Sequence, residues 1–106
     1  MCGIAGFINL KGAQNLELSS ALEDAAQALN LRGPDCQSTY HPKPGLGFAH
    51  ARLSIIDTSE SANQPMSAYD NRYTIVFNGE IYNYQELKQR LEKEKHEVFQ
   101  TVSDTE

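Results

Sequence analysis

The 106-residue chain contains no tryptophan and only two cysteines, Cys2 and Cys36. Two thiols are too few for a disulfide scaffold, and a reducing compartment would keep both of them free. Long apolar runs are missing as well. Nothing approaches the ~20 residues needed to span a bilayer, and the first residues lack the basic and apolar regions of a secretion signal, so a cytoplasmic chain with no membrane partner is expected. Positive charge is scarce: nine Lys and Arg stand against fourteen Asp and Glu, for a formal net charge of −5, and the basic residues form no run. That balance argues against a nucleic-acid partner. The three histidines, His41, His50 and His96, are scattered singly, so no metal site is expected. No Gly-x-Gly-x-x-Gly or P-loop pattern occurs, which removes nucleotide binding from this segment. A small-molecule partner is what remains.

What is present reads as strands and helices in alternation. Gly3 to Leu10 predicts a buried strand, with Ile4, Phe7, Ile8 and Leu10 apolar and with Gly3 and Gly6 leaving room for close backbone approach. Leu18, Leu22, Ala25 and Leu29 recur at helical spacing between about Leu16 and Leu31, with Ser20 and Glu23 as a capping box or Asn15 as an earlier cap. Gly33, able to take a positive φ, and Pro34 end that helix. Gln37 to Tyr40 and Leu46 to Ala49 predict a hairpin joined by a long loop over residues 41–45, followed by a separate strand from His50 to Asp57. Thr58 to Pro65 is polar and predicts a loop.

Tyr73 to Phe77 is the most β-prone run, and it stops at the turn dipeptide Asn78-Gly79. Asn83 to Glu86 offers a second capping box ahead of a helix with Tyr84, Leu87 and Leu91 on its apolar stripe, ending near Lys95. Glu86 and Arg90 are placed for an exposed ion pair. Val98 to Val102 predicts a last short strand. Hairpin-length connections favour an antiparallel sheet with helices on its face, an α+β fold, over a parallel sheet.

The residue with the most chemistry in it is Cys2. Removal of Met1, favoured by the small second residue, would leave one residue carrying both a thiol and a free α-amine. A thiol of ordinary pKa ~8.5 is mostly protonated at neutral pH and needs a base. An α-amine of pKa ~7.7–8.0 on the same residue supplies one, directly or through a water, without any histidine. Considered singly, Cys2 is more often an ordinary terminal residue.

Five segments then accumulate: Cys2-Gly3-Ile4-Ala5-Gly6, Arg32-Gly33-Pro34-Asp35, Arg52-Leu53-Ser54-Ile55-Ile56-Asp57, Asn78-Gly79-Glu80-Ile81-Tyr82-Asn83 and Ser103-Asp104-Thr105-Glu106. In this order and spacing they resemble the glutaminase domain of asparagine synthetases, a class II glutamine amidotransferase with an N-terminal nucleophile, from residue 2 to 106. The resemblance implies an Ntn-hydrolase αββα sandwich of antiparallel sheets flanked by helices, of which this chain would hold the N-terminal half. It also implies glutamine as substrate, with Cys2 as nucleophile and the Asn78 side chain and Gly79 N–H as oxyanion donors. Arg52 would clamp the α-carboxylate and Asp104 the α-ammonium, with Glu80 and the backbone of Leu53 and Ile55 as further glutamine contacts. Arg32 and Asp35 are expected to brace the loop near the site.

No cofactor is implied in this segment, since ATP and Mg²⁺ would serve a C-terminal synthetase domain or subunit, the expected partner; a homodimer is compatible with the family. Two departures stand out, Leu31 where the family usually has His before the Arg-Gly-Pro-Asp run, and Ser38 where a glycine is frequent. Amidotransferases of surface-sugar pathways share these spellings, so a sugar acceptor is an alternative, as is a non-catalytic glutamine-binding or structural fragment. Taken one at a time, Arg52 would more often be half of a surface ion pair, Asn78-Gly79 a hairpin turn and Asp104 a loop acid.

Overall fold

The computed structural model describes residues 2–11 and 16–106. In chain order its elements are β1 (Gly3–Ile8), α1 (Leu16–Ala28), β2 (Cys36–Lys43), β3 (Leu46–Arg52), a 3₁₀ turn at Glu60–Ala62, β4 (Met66–Ala68), β5 (Tyr73–Ile75) and α2 (Tyr84–Lys95). β1, β3 and β2 form one antiparallel sheet in that spatial order, and β4 and β5 form a second. The α+β class with antiparallel sheets is therefore as expected. No helix among the described residues is long and apolar enough to cross a membrane.

Side chains alternate across a strand, so the two faces of the first sheet follow from its sequence. On one face β3 presents Gly47, Ala49 and Ala51, small enough for α1 to lie close; Leu22 and Ala26 of the helix pack on Ala49, with Ala5 and Phe7 of β1 partly buried beside them. A Cβ on Gly47 would come within 2.8 Å of the Leu22 side chain. The other face carries Phe48, His50 and Arg52. On the same face of β1, Ile4, opposite His50, and Ile8, opposite Leu46, are 48% and 72% exposed. The expectation of a strand buried on both faces is thus corrected: only the α1 side of β1 is covered, and Leu10 lies beyond the strand and exposed.

Several predicted boundaries move for identifiable reasons. The proposed hairpin and the strand from His50 are a single strand, β3, which ends at Arg52 because Asp35 captures the chain there. The Asp35 N–H donates to the Arg52 carbonyl at 3.0 Å, and the Asp35 carboxylate accepts from the Ser54 N–H at 2.7 Å. The connection over residues 41–45 is shorter than predicted. β2 runs on to Lys43 through an irregularity after Tyr40, and Pro44-Gly45 makes the turn, with Gly45 at φ 81°. That is the arrangement a two-residue turn with Pro first and Gly second requires.

β5 stops at Ile75 rather than Phe77, because the Phe77 N–H leaves the ladder to donate to the Gln64 side chain. Asn78-Gly79 is accordingly a bend and not a hairpin turn. Residues 98–102 form no strand, since the N–H groups of Gln100 and Thr101 are taken by the Glu106 carboxylate and that of Val102 by Asp57. Ser20 lies inside α1 and caps nothing, while Asn15 falls outside the described residues. Asn83 does sit at the N-cap of α2 but makes no side-chain cap bond, and Arg90 pairs with Glu94 at 3.1 Å instead of with Glu86. α2 buries no residue, so packing contributes less to it than to α1.

Gly33 was expected to supply a positive φ, yet Gly45 is the glycine that does so among the described residues. Gly33 is glycine for lack of space: a Cβ there would collide with the Ala51 carbonyl and the Arg52 nitrogen in the sheet's central strand. Backbone atoms cannot swing aside as a side-chain tip can, so Gly33→Ala should cost at least about 2–3 kcal/mol. Gly45→Ala, which strains one turn φ in an open hairpin, should cost about 1 kcal/mol. Urea midpoints of the two variants check the order; equal losses would contradict the packing explanation.

Candidate functional site

The β1–β3 register places the first elements of the site. Gly3 pairs with Ala51, so one rung further along Cys2 lies beside Arg52, and both side chains leave the sheet on the face away from α1. The Leu53 N–H points at the Cys2 sulfur at 3.4 Å, and the Leu53 carbonyl lies 3.7 Å from it. The Arg32 Nε donates to the Cys2 carbonyl at 3.3 Å. Arg32 and Asp35 therefore brace the two chain segments that carry Cys2 and Ser54, as expected of them. Cys36 pairs with Arg52 from the other side. The two cysteines are thus separated by two strand spacings, roughly 9–10 Å, beyond the ~7 Å that a disulfide tolerates between Cα atoms. Both are free thiols.

Arg52 is 7% exposed, and the loop that follows β3 accepts three hydrogen bonds from its guanidinium. Nη1 donates to the Ser59 carbonyl at 2.7 Å and to Asn63 Oδ1 at 2.6 Å, and Nη2 donates to the Asp57 carbonyl. A guanidinium has five N–H donors, so these bonds leave Nε–H and one Nη2–H unengaged among the described residues. Two free donors on one guanidinium are enough for a carboxylate.

A single cleft of about 340 Å³ is lined by Cys2, Arg52, Leu53, Ile55, Asn78, Gly79, Glu80 and Asp104, which are all the site residues expected from the sequence. Three segments meet there: the end of the first sheet, the bend after β5, and the stretch through Asp104. Asp104 Oδ2 accepts from the Ile81 N–H at 2.9 Å, tying the last two together. Asn78, Gly79 and Glu80 are exposed. No hydrogen bond holds the Asn78 amide among the described residues, so its donor is available to whatever enters. Nor do any three His, Cys, Asp or Glu side chains of the described residues gather into a metal-binding group.

Sequence reasoning missed the polar residues that hold these segments in place, because it treated Thr58 to Pro65 as plain loop. Buried Gln64 is the clearest. Its side-chain Nε2 donates to Thr105 Oγ1 at 3.1 Å, its Oε1 accepts from the Phe77 N–H, and its carbonyl accepts from the Ser38 hydroxyl. One residue thereby connects β2, the approach to Asn78, and the neighbour of Asp104. Asp57 is a second brace. Its carboxylate accepts from the Ser59 N–H and hydroxyl at 2.8 and 2.6 Å and from the Val102 N–H at 2.9 Å. The Ser59 hydroxyl, then the Val102 and Ser59 amides, hold the Asp57 carboxyl below its ordinary range, and the Arg52 charge adds to them. The one signal available was the Asp57-x-Ser59 spacing, typical of a side chain that bonds the backbone two residues on.

With the geometry established, comparison with known proteins adds the following. The sequence profile described as "Glutamine amidotransferase domain" matches residues 1–106. "Asparagine synthetase [glutamine-hydrolyzing] 1" of Bacillus subtilis (strain 168) is 43% identical over 107 residues, which covers 100% of this chain and 16% of that protein. "Asparagine synthetase [glutamine-hydrolyzing] 2" of the same organism is 42% identical, over 100% of this chain and 14% of its own length. The "Putative asparagine synthetase [glutamine-hydrolyzing]" of Mycobacterium bovis is 37% identical over 118 residues, again the whole of this chain and 18% of that protein. The chain thus spans less than a fifth of the length of these relatives.

The Asp57 brace yields a prediction with a definite sign. A carboxyl whose folded pKa is depressed stabilises the fold fully above its unfolded value, near 4, and the contribution is lost as pH falls through the lower folded value. Wild-type urea midpoints should therefore hold level above about pH 5 and drop in the acid range. Asp57→Asn should start lower at pH 7 and show a shallower acid drop. Parallel curves for the two proteins would contradict the brace.

Proposed function

Because the chain belongs to the glutamine amidotransferase domain family, we propose that it hydrolyses the side-chain amide of glutamine to glutamate and ammonia, with Cys2 as nucleophile. The observation that carries this reading is the convergence on one cleft of the Cys2 thiol, a half-free buried guanidinium, an unengaged amide at Asn78 and a carboxylate at Asp104. A free amino acid needs those groups: a cation for its carboxylate, an anion for its ammonium, and donors at the carbonyl under attack.

In this reading the Nε and Nη2 hydrogens of Arg52 take the α-carboxylate, and Asp104 takes the α-ammonium through the carboxylate oxygen not committed to Ile81. Glu80 and the backbone of Leu53 and Ile55 complete the grip. Loss of Met1 frees the Cys2 amine, which accepts the thiol proton as sulfur attacks the amide carbon. The oxygen of the tetrahedral intermediate becomes negative, and the Asn78 side-chain N–H and the Gly79 backbone N–H stabilise it. Collapse expels ammonia, protonated through the same amine, and leaves a γ-glutamyl thioester. Water then attacks the thioester carbonyl, the amine again handling the proton, and releases glutamate and the thiol.

The same proposal covers the finer fold and the destination of the ammonia. The chain supplies part of an Ntn-hydrolase αββα sandwich, and the exposed Ile4 and Ile8 face of β1 is the side on which the opposing sheet would lie. The names of the relatives favour delivery to an ATP-dependent synthetase domain of the asparagine synthetase type over a sugar acceptor or an inert binding module.

Intact-mass analysis should show loss of Met1, and a diazo-ketone analogue of glutamine should alkylate Cys2 and no other residue. Cys2→Ala should abolish the adduct, and an N-terminal extension that removes the free amine should suppress it. Asn78→Ala should lower turnover about 10²- to 10³-fold, the usual effect of losing one oxyanion donor. A folded protein that keeps Met1 and forms no adduct would contradict the reading.

A further inference from the structure

Three of the groups assigned to the substrate, Arg52, Asn78 and Asp104, come from distant parts of the chain, yet each is tied, directly or through its neighbour, to one dipeptide, Asn63-Gln64. Asn63 Oδ1 accepts from Arg52 Nη1 at 2.6 Å. Gln64 Oε1 accepts at 2.5 Å from the N–H of Phe77, the residue before Asn78. Gln64 Nε2 donates at 3.1 Å to the hydroxyl of Thr105, the residue after Asp104. Chemistry fixes the orientation of this amide, since the Phe77 N–H can only donate and must face the oxygen. Gln64 is 7% exposed, and its carbonyl accepts from the Ser38 hydroxyl on β2, which anchors the dipeptide to the first sheet. A buried amide with its oxygen and nitrogen both engaged is a stiff spacer.

We infer that Gln64 is a positioning residue that sets the length of side-chain amide the cleft accepts, favouring glutamine over its one-carbon-shorter homologue asparagine. This assignment rests on the glutaminase reading above and deepens it. Arg52 and Asp104 grip the α-carbon end of the substrate, while Asn78 and Gly79 wait for the carbonyl oxygen. The separation of these two sets decides which chain length brings the carbonyl to the donors and to the sulfur together. Gln64 spans that separation alongside the substrate: its oxygen holds the approach to Asn78, its nitrogen holds the neighbour of Asp104, and Asn63 beside it holds Arg52. Asparagine gripped at its α-carbon end falls short by about one C–C bond, ~1.5 Å. An error of about 1 Å in the placement of a reacting group costs about 10²-fold, so a rigid spacer converts one methylene into a large difference in rate.

The test is the rate at which two diazo-ketone analogues, one of glutamine length and one of asparagine length, alkylate Cys2 in the full chain, followed by intact mass. Covalent label accumulates with time, so the slower analogue is measurable. Wild type should label about 100-fold faster, or more, with the glutamine-length analogue. Gln64→Met, similar in shape but without the amide, should narrow that preference about tenfold or more. Thr105→Val removes the partner of Nε2 and should narrow it in the same direction, whereas Thr105→Ser restores a hydroxyl and should keep the wild-type preference. Alkylation of Cys2 by iodoacetamide needs no grip on an amino acid and should stay within about twofold of wild type, which a general disturbance of the fold would not allow. If Gln64→Met does not fold by circular dichroism, the Thr105 pair decides alone. A preference within about threefold of wild type in folded Gln64→Met, or equal preferences in folded Thr105→Val and Thr105→Ser, would overturn the assignment. A wild-type chain labelled by neither analogue would overturn the glutaminase reading and this assignment with it; wild type labelled equally fast by both would overturn this assignment alone.

Discussion

The pairing of β1 with β3 is the constraint on which the rest depends. Side chains alternate strictly along a strand, so a one-residue slip would move Cys2 to the α1 face and bring Phe7 out of the core. In the observed register the small side chains of β3 accept α1 on one side, and the same register puts the Cys2 thiol next to the Arg52 guanidinium on the other. Core packing and site geometry are thus two consequences of one set of backbone hydrogen bonds.

Around that rung the protein spends most of its buried polar groups. Arg52 could not be buried as a charge without partners, and the loop from Asp57 to Asn63 provides them through two carbonyls and one amide oxygen. The carboxylate of Asp57, itself held by Ser59 and Val102, completes the tie between that loop and the segment running to Asp104. Gln64 does the same for the bend at Asn78. Each of these groups fixes the position of a residue that lines the cleft. The outcome is a cleft assembled largely from irregular segments that side-chain hydrogen bonds tie together.

What could be recognised from the sequence was the set of residues that meet at the cleft and the regular elements with strong periodicity. Cys2, Arg52, Asn78 and Asp104 were found through their motifs, and all of them line one cleft. α1 was legible because Leu18, Leu22, Ala25 and Leu29 repeat at the spacing of a face that packs. The misses share a cause. β3 was cut in two, β5 was drawn too long, and residues 98–102 were read as a strand, because side chains distant in sequence decide where those backbones stop. Asp35, Gln64, Asp57 and Glu106 each take backbone N–H groups that a local reading assigns to a ladder. The role of Gly33 was hidden in the same way, since the obstacle lies in Ala51, a residue of another element.

The central claim is that the thiol and the half-free guanidinium grip opposite ends of one free amino acid. A crystal structure of the Cys2→Ala chain soaked with glutamine tests it most directly. The account predicts the α-carboxylate on Nε and Nη2 of Arg52, the α-ammonium on Asp104, and the side-chain amide carbon above the position vacated by the sulfur, with its oxygen toward Asn78 and Gly79. Glutamine bound with its carboxylate elsewhere, or an empty cleft at saturating glutamine, would contradict it.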